Sequence, residues 1–179
     1  MSRAFVSEDS PDANLDEAPE LKIPIPAGSR NYLTPEGAAA LVTELSLLET
    51  ETRPSLLAEI EKAGHNDVQG DTLSGLRAEL ARTNRRIQYL ATMSSLAETV
   101  YPPAQGYQRV SFGASVRVRD HQGNEQLYRI VGVDEARPSE GLLGWTSPIA
   151  RGLMGKSRGS SVSIQLPESS LTLTILDIS

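Results

Sequence analysis

The chain has 179 residues and a formal net charge of −6, so it is long enough for one domain of ordinary size or two small ones, and its acidic balance argues against bulk binding of nucleic acid. No stretch of about 18 apolar residues supports a membrane span or an export signal. The lack of cysteine excludes disulfides and thiolate metal sites, and two histidines far apart in sequence provide no metal-ligand cluster. These features are compatible with a reducing cytoplasm, which is the expected location.

Residues 1–30 are acidic, and prolines are frequent among them. Such a segment buries too little apolar surface to offset its ordering entropy, so we predict a disordered tail. Residues 22–26, where isoleucine alternates with proline, are predicted to be extended, along a sheet edge or along the base of the helices that follow. The acidic residues and prolines of the tail are Glu8, Asp9, Asp12, Asp16, Glu17, Glu20, Pro11, Pro19, Pro24 and Pro26.

Residues 31–100 carry the signals of an antiparallel helical hairpin, a coiled coil with its tip at residues 64–71. Thr34 is placed to cap the first helix, and Pro35 suits its first position. Pro54 lacks an N–H and should bend or interrupt the outgoing arm. The returning arm has side chains three and four residues apart in alternation, which is the spacing of a coiled-coil seam. These residues are Leu73, Leu76, Leu80, Thr83, Ile87, Leu90, Ser94 and Ala97.

The length of the two arms indicates a role. Roughly 28 residues at about 1.5 Å each reach on the order of 40 Å, which is more than the width of a compact domain of this size. We therefore predict a projecting pair of helices that delivers its polar tip into a deep site on another molecule; a hairpin folded flat on its own domain is the alternative. Glutamates dominate the outgoing arm and arginines the returning arm, so exposed ion pairs of at most about 1 kcal/mol each should join them.

The pattern changes to period two after a short linker at residues 101–110. The predicted strands are residues 115–119, 127–133, 162–166 and 171–175. Before the third strand, Ser147 is placed to cap and Pro148 to start one short helix, which Gly155 closes. Residues 111–179 are thus predicted to form a small antiparallel sheet wrapped on one short helix. The chain as a whole is predicted to be of the α+β class.

Several stretches resemble the GreA/GreB transcript-cleavage factors of bacterial RNA polymerase. The matching stretches are MSRAFV at residues 1–6, NYLTPEG at 31–37, RP at 53–54, RRIQYL at 85–90, FGASV at 112–116, YRIVG at 128–132 and SPIARGLMGK at 147–156. The resemblance implies a coiled coil that enters the secondary channel of bacterial RNA polymerase, and an FKBP-like C-terminal domain that docks at the outer rim of the channel. It also implies a monomer whose tip lies near the nascent RNA 3′ end, with no membrane partner and no sequence-specific binding of DNA.

The tip of this chain departs from the family pattern, Gly-Asp-x-x-Glu-Asn. In the family those two carboxylates are understood to help hold a second Mg²⁺ beside the metal of the polymerase during hydrolysis of a backtracked transcript. The resemblance places Asp67 at the first acidic position, whereas Gly70 occupies the second. Asp67 and Asp71 are therefore the candidate catalytic residues. The Mg²⁺ would be shared with the polymerase, because the chain is expected to have no cofactor of its own and not to be an enzyme alone.

Both aspartates also have structural interpretations. Asp67 is equally consistent with a residue that stabilises a tight turn through its own backbone. Asp71 is a natural N-cap for the returning helix.

The candidate polymerase-binding residues are Ser147, Pro148, Ile149 and Arg151, with Leu142 and Trp145 beside them. Exposed apolar anchors next to an arginine are typical of interface hot spots. Trp145 and Ile149 could instead fill the core of the small domain, whereas a charge such as Arg151 has little use in a core.

Three functional hypotheses follow. The first is an elongation factor that binds RNA polymerase through the secondary channel and supports transcript cleavage. The second is a non-cleaving relative that occupies the same channel and inhibits or competes with active factors. The third is a peptidyl-prolyl isomerase with an FKBP-like domain, which one tryptophan and two phenylalanines disfavour because the proline pocket is expected to be aromatic.

Overall fold

The computed structural model describes residues 21–65, 70–166 and 169–179, which form a helical hairpin and a five-stranded sheet. The elements of the hairpin are β1 (Asn31–Leu33), α1 (Pro35–Leu47), a π-helical segment (Leu48–Thr52), α2 (Arg53–His65), α3 (Gly70–Ser95) and β2 (Ala97–Thr99). The elements of the sheet domain are β3 (Ser115–Asp120), β4 (Glu125–Val131), a 3₁₀ turn (Pro138–Glu140), β5 (Leu142–Gly144), α4 (Pro148–Leu153), β6 (Ser161–Gln165) and β7 (Ser170–Ile178). The predicted α+β class is confirmed.

The outgoing arm is irregular near Pro54, as predicted, but it does not break. The π-helical segment ends at Thr52, two residues before the proline, and the Arg53 backbone N–H donates to the carbonyl of Leu48, five residues earlier. Pro54 has no N–H of its own to donate, and its ring crowds the carbonyl four residues back, so a wider turn relieves the contact. The arm therefore stays helical through residue 65.

The base of the hairpin is closed by a short parallel pair of strands. β1 and β2 pair with Asn31 opposite Ala97 and Leu33 opposite Thr99, so the expected continuation of the returning helix to about residue 100 is wrong. The reason lies in Asn31, which is fully buried. Its side-chain amide donates to the Met93 carbonyl (3.1 Å) and its backbone N–H to the Leu96 carbonyl (2.8 Å). These bonds satisfy carbonyl groups at the end of α3, where the helix cannot.

A small apolar cluster fills this base, and one of the predicted extended residues takes part in it. Ile25 packs here, at the base of the helices, which was one of the two positions expected for residues 22–26. The buried members of the cluster are Ile25, Leu33, Leu41, Leu90 and Met93.

The sheet has the strand order β5-β4-β3-β7-β6. Its pairs are antiparallel, as predicted, except β4 with β5 at one edge, which run parallel. The chain returns beside β4 through Gly141, which ends the 3₁₀ turn with a φ of 78°. A β-carbon at Gly141 would overlap the carbonyl of Leu127, so glycine is required at this turn.

The core of the sheet domain lies between the sheet and α4. The predicted cap is confirmed: Ser147 precedes Pro148, and its hydroxyl accepts a hydrogen bond from the Ala150 N–H (3.3 Å). The buried residues of this core are Val110, Ala114, Val116, Val118, Ile130, Leu143, Ala150, Leu153, Val162, Ile164, Leu173 and Ile175. Among the residues that the structure describes, no helix is both long enough and apolar enough to cross a membrane.

Replacing Leu90 by alanine should destabilise the base of the hairpin, because this side chain is 1% exposed and its loss leaves a cavity. We expect a loss of about 2–5 kcal/mol in the free energy of unfolding, measured by urea denaturation. Leu57, on α2, is 48% exposed and provides the matched control. Leu57→Ala should cost about 0.5 kcal/mol or less. Equal losses in the two variants would contradict the described packing.

Candidate functional site

The candidate catalytic residues lie at the junction of the two arms. Asp67 falls outside the described residues, between His65 at the end of α2 and Gly70 at the start of α3. Asp71 is the second residue of α3 and not the residue before it, which disagrees with the expected N-cap position. The catalytic role of both aspartates stays a prediction. Within residues 21–65, 70–166 and 169–179, no group of three or more His, Asp or Glu side chains could hold a metal ion.

The seam between the arms follows the predicted spacing as far as Ser94, whereas Ala97, the last predicted seam residue, is exposed on β2. Thr83, Ile87 and Leu90 are buried on α3, and Leu56 is buried on the facing arm. Toward the tip the seam residues Leu73, Leu76 and Leu80 are half-buried. The two arms therefore pack against each other along most of their length, with the tightest packing near the base.

An ion pair joins the arms where charge complementarity predicted one. The Arg86 guanidinium donates two hydrogen bonds to the Glu44 carboxylate, at 2.7 and 2.8 Å, and it also lies over the Tyr89 ring, 5.3 Å from the centroid. The hydrogen bonds from Arg86 lower the pKa of Glu44 against a smaller opposing effect of burial. A two-point contact of this kind fixes the rotation of one arm relative to the other.

The junction between hairpin and sheet domain is aromatic. Tyr32, on β1, lies edge-on to Trp145 with ring centroids 5.5 Å apart, and the centroid of the Phe112 ring is 6.1 Å from that of Tyr32. On α3, the Tyr89 hydroxyl donates to Asp134 (2.7 Å), and burial together with this bond raises the pKa of Tyr89. The base of the hairpin is thus packed onto the sheet domain.

The structure divides the candidate polymerase-binding residues into two groups. Trp145 packs against the clusters of both parts of the molecule, and Ile149 packs against the core of the sheet domain. Pro148 and Arg151 are exposed, and in the described part of the chain no ion pair involves Arg151. Leu142 and the capping Ser147 are half-buried. The packing favours the core interpretation of Trp145 and Ile149, while the binding role of the whole set stays a prediction.

The sequence pattern did not identify Glu135 as a functional residue. This residue of the sheet domain makes hydrogen bonds to the hairpin. Its carboxylate accepts hydrogen bonds from Thr34 and from Gly132. Thr34 and Glu135 are 101 positions apart. Local periodicity provides no signal for a contact over such a separation, so only the fold reveals it.

Comparison with known proteins agrees with this architecture. The family model described as "Transcription elongation factor, GreA/GreB, C-term" matches residues 104–179. The transcription elongation factor GreA of Helicobacter pylori is 34% identical over 153 residues, which cover 84% of this chain and 93% of the relative. The transcription elongation factor GreB of Yersinia pestis is 34% identical over 151 residues, covering 83% and 88%.

Among solved structures, the GreA factor homolog 1 (Gfh1) protein of Thermus thermophilus is 20% identical with a TM-score of 0.40, covering 84% of this chain and 99% of that one. A structural likeness at this TM-score does not assign a function. The sequence relatives are sufficient: the chain belongs to the GreA/GreB family of transcription elongation factors.

Replacing Glu44 by glutamine should lower the stability of the hairpin in a pH-dependent way. The Arg86 hydrogen bonds depress the pKa of Glu44 in the folded state below its ordinary value of 4.5, so the stabilisation is present above that value and is lost as the pH falls through the folded pKa. Because the pair is partly exposed, we expect a difference of at most about 1 kcal/mol at neutral pH. Urea denaturation at neutral pH and at a series of acidic values measures it.

Glu49, an exposed glutamate of the same arm, is the control. Glu49→Gln should change the stability little at any pH. A gap between Glu44→Gln and the unaltered chain that widens toward acid would contradict the described ion pair.

Proposed function

We propose that the chain is an elongation factor that binds bacterial RNA polymerase, with its hairpin in the secondary channel and its sheet domain on the rim of that channel. The observation that carries the proposal is a paired hairpin whose base is closed by β1 and β2 and packed onto a separate sheet domain. Family membership supports the same partner. In this role the chain acts as a monomer, its tip faces the 3′ end of the nascent RNA, and it reads no DNA sequence.

The dimensions of the hairpin suit this task. The 26 residues of α3 span about 39 Å at 1.5 Å per residue. In the described part of the chain, the hydrogen bonds and ion pairs that join the hairpin to the sheet domain involve three hairpin residues near its base, Thr34, Glu36 and Tyr89. The outer part of the hairpin is thus available to enter a channel while the sheet domain remains outside.

The tip residues determine what the hairpin does once it is inside. Asp67 supplies one carboxylate, and the neighbouring Asn66 and Gln69 supply amide groups that can orient water. This set fits a Mg²⁺ ion, which takes one or two carboxylates and keeps several waters. When bound beside the polymerase's own metal, such an ion stabilises the attacking and leaving oxygens of phosphodiester hydrolysis. In this proposal Asp67 helps to hold the ion, and the arms place Asp67 near the transcript end.

A non-cleaving regulator is the second candidate, and one observation favours it. Gly70 stands where the family pattern has the second acidic residue, so the tip has lost a carboxylate at that position. A hairpin that fills the channel without sufficient charge for metal recruitment would inhibit elongation or compete with active factors.

Asp67→Ala separates the two candidates. Purified bacterial RNA polymerase is stalled in a backtracked state, and shortening of the RNA 3′ end is measured on a sequencing gel. A cleaving factor shortens the transcript, and the alanine variant loses this activity while it still binds. Glu59→Ala, which removes an exposed carboxylate from the side of the outgoing arm, should retain it.

Inhibition of elongation that is the same with and without Asp67 would instead establish the non-cleaving regulator. Failure of the unaltered chain to bind core polymerase would contradict both candidates.

Arg151→Ala should weaken binding to core polymerase by about tenfold or more, because an exposed arginine beside apolar residues is typical of a hot spot. Arg158→Ala is the matched control, since Arg158 is also exposed on the sheet domain and lies 3.7 Å from Asp177. Affinity is measured by titration of labelled factor with polymerase. Equal effects of the two substitutions would remove the loop at residues 147–151 from the docking surface.

A further inference from the structure

The N-terminus of α1 has a capping arrangement with one local partner missing. In a capping box, the N-cap hydroxyl accepts a hydrogen bond from the backbone N–H three residues on, and a glutamate at that third position accepts from the N-cap N–H. Here Thr34 provides the first half, because its hydroxyl accepts from the Gly37 N–H (3.0 Å). The third position is Gly37, which has no side chain to provide the second half.

Glu135 of the sheet domain occupies the place of the missing glutamate. Its Oε2 atom accepts from the Thr34 backbone N–H (3.1 Å), and its Oε1 atom accepts from the Thr34 hydroxyl. Oε2 also accepts from the Gly132 N–H (2.9 Å), which holds the carboxylate to its own domain. The capping box of the hairpin is therefore completed by the other part of the molecule.

Two glycines keep the space for this carboxylate open. A β-carbon built at Gly37 would overlap the Glu135 carboxyl group, whose three atoms are its nearest neighbours. A β-carbon at Gly132 would overlap the same carboxylate and would also come within 2.9 Å of the Tyr32 backbone carbonyl oxygen. Any side chain at position 37 would therefore displace the Glu135 carboxylate.

The other polar contacts between the two parts are weaker. Arg129 and Glu36 are 3.6 Å apart, and the Glu36 side chain is 73% exposed. The bond from Tyr89 to Asp134 is a single exposed hydrogen bond. Exposed pairs of this kind contribute little and restrict orientation weakly. The two hydrogen bonds that Glu135 accepts from Thr34, a residue that is 2% exposed, are the stronger constraint.

We propose that Glu135 is a positioning residue: by completing the capping box of α1 across the junction, it sets the direction of the hairpin relative to the sheet domain, and Gly37 is required for this contact. The effect of this contact on the interaction with polymerase rests on the function proposed above. If the sheet domain docks on the rim and the hairpin must enter the channel, the angle between them decides whether the tip reaches the transcript.

The orientation is measured directly by double electron–electron resonance between two spin labels, without polymerase. The chain has no cysteine, so Lys62→Cys on α2 and Ser163→Cys on β6, both at exposed positions, provide the only attachment sites. In this labelled background we expect one narrow distance distribution. Glu135→Ala and Gly37→Ala should each broaden it, and Thr34→Ser, which keeps the hydroxyl, should not.

Matched controls separate positioning from general loss of structure. Asp134→Ala removes the neighbouring carboxylate with its single exposed bond, and Gly75→Ala adds a methyl group to a helical glycine with nothing within 4 Å. Both should leave the distribution narrow. Gly37→Glu is the sharpest variant, because it restores a local capping box: helix content by circular dichroism should be kept while the distance distribution broadens.

A double variant, Gly37→Ala with Glu135→Ala, should broaden the distribution no more than the stronger single change, because both act on one contact. A narrow, unshifted distribution in Glu135→Ala would overturn the proposal, and so would a broad distribution in the labelled background that keeps Glu135 and Gly37. In polymerase assays, Gly37→Glu should reduce the maximal effect on elongation and leave the apparent affinity unchanged. If the distances respond but the chain has no effect on polymerase, the proposed function fails and the positioning role of Glu135 stands.

Discussion

The hairpin depends on the closure of its base. Two three-residue strands, β1 and β2, pair side by side. The buried Asn31 side chain donates a hydrogen bond to the Met93 carbonyl near the end of α3. Without this closure the arms would be joined only through the tip and a seam whose burial decreases toward the tip. A long helical pair needs its strongest packing where the chain enters and leaves, because that end must resist bending of the remainder. Leu33, Leu90 and Met93, all almost fully buried, provide this packing.

The closed base is connected in two directions, to the rest of the two arms and to the sheet domain. Toward the tip, the two-point contact of Arg86 with Glu44 fixes the rotation of the arms, and the π-helical segment lets the outgoing helix pass Pro54 without ending. Toward the sheet domain, Tyr32 joins Trp145 through an aromatic contact that is large but weakly directional. The same three residues of β1 thus belong to the hairpin and to the junction. This shared use explains why so short a strand matters to the architecture.

Features that depend on local physics could be predicted from the sequence. Thr34 and Pro35 at one helix start, Ser147 and Pro148 at another, and the seam of α3 follow from capping chemistry and helical spacing. The parallel pairs could not be predicted, because three-residue strands such as β1 and β5 carry no periodic signal and their pairing is decided by distant residues. Trp145 shows a related limit: from the sequence it could be an exposed anchor or a core residue, and only its contact with Tyr32 in the fold favours packing. The contact of Glu135 with Thr34 has no local signal at all, and the tip chemistry rests on resemblance, since Asp67 lies outside the described residues.

The proposed function requires a stiff hairpin that is directed by its junction with the sheet domain and carries the tip into the secondary channel of RNA polymerase. The most direct measurement is a cryo-electron microscopy reconstruction of the full chain bound to a stalled, backtracked bacterial polymerase. We expect density for both arms inside the channel, the tip beside the active-site metal, and the sheet domain on the outer rim. A complex in which the sheet domain is bound while the hairpin lies outside the channel would contradict it.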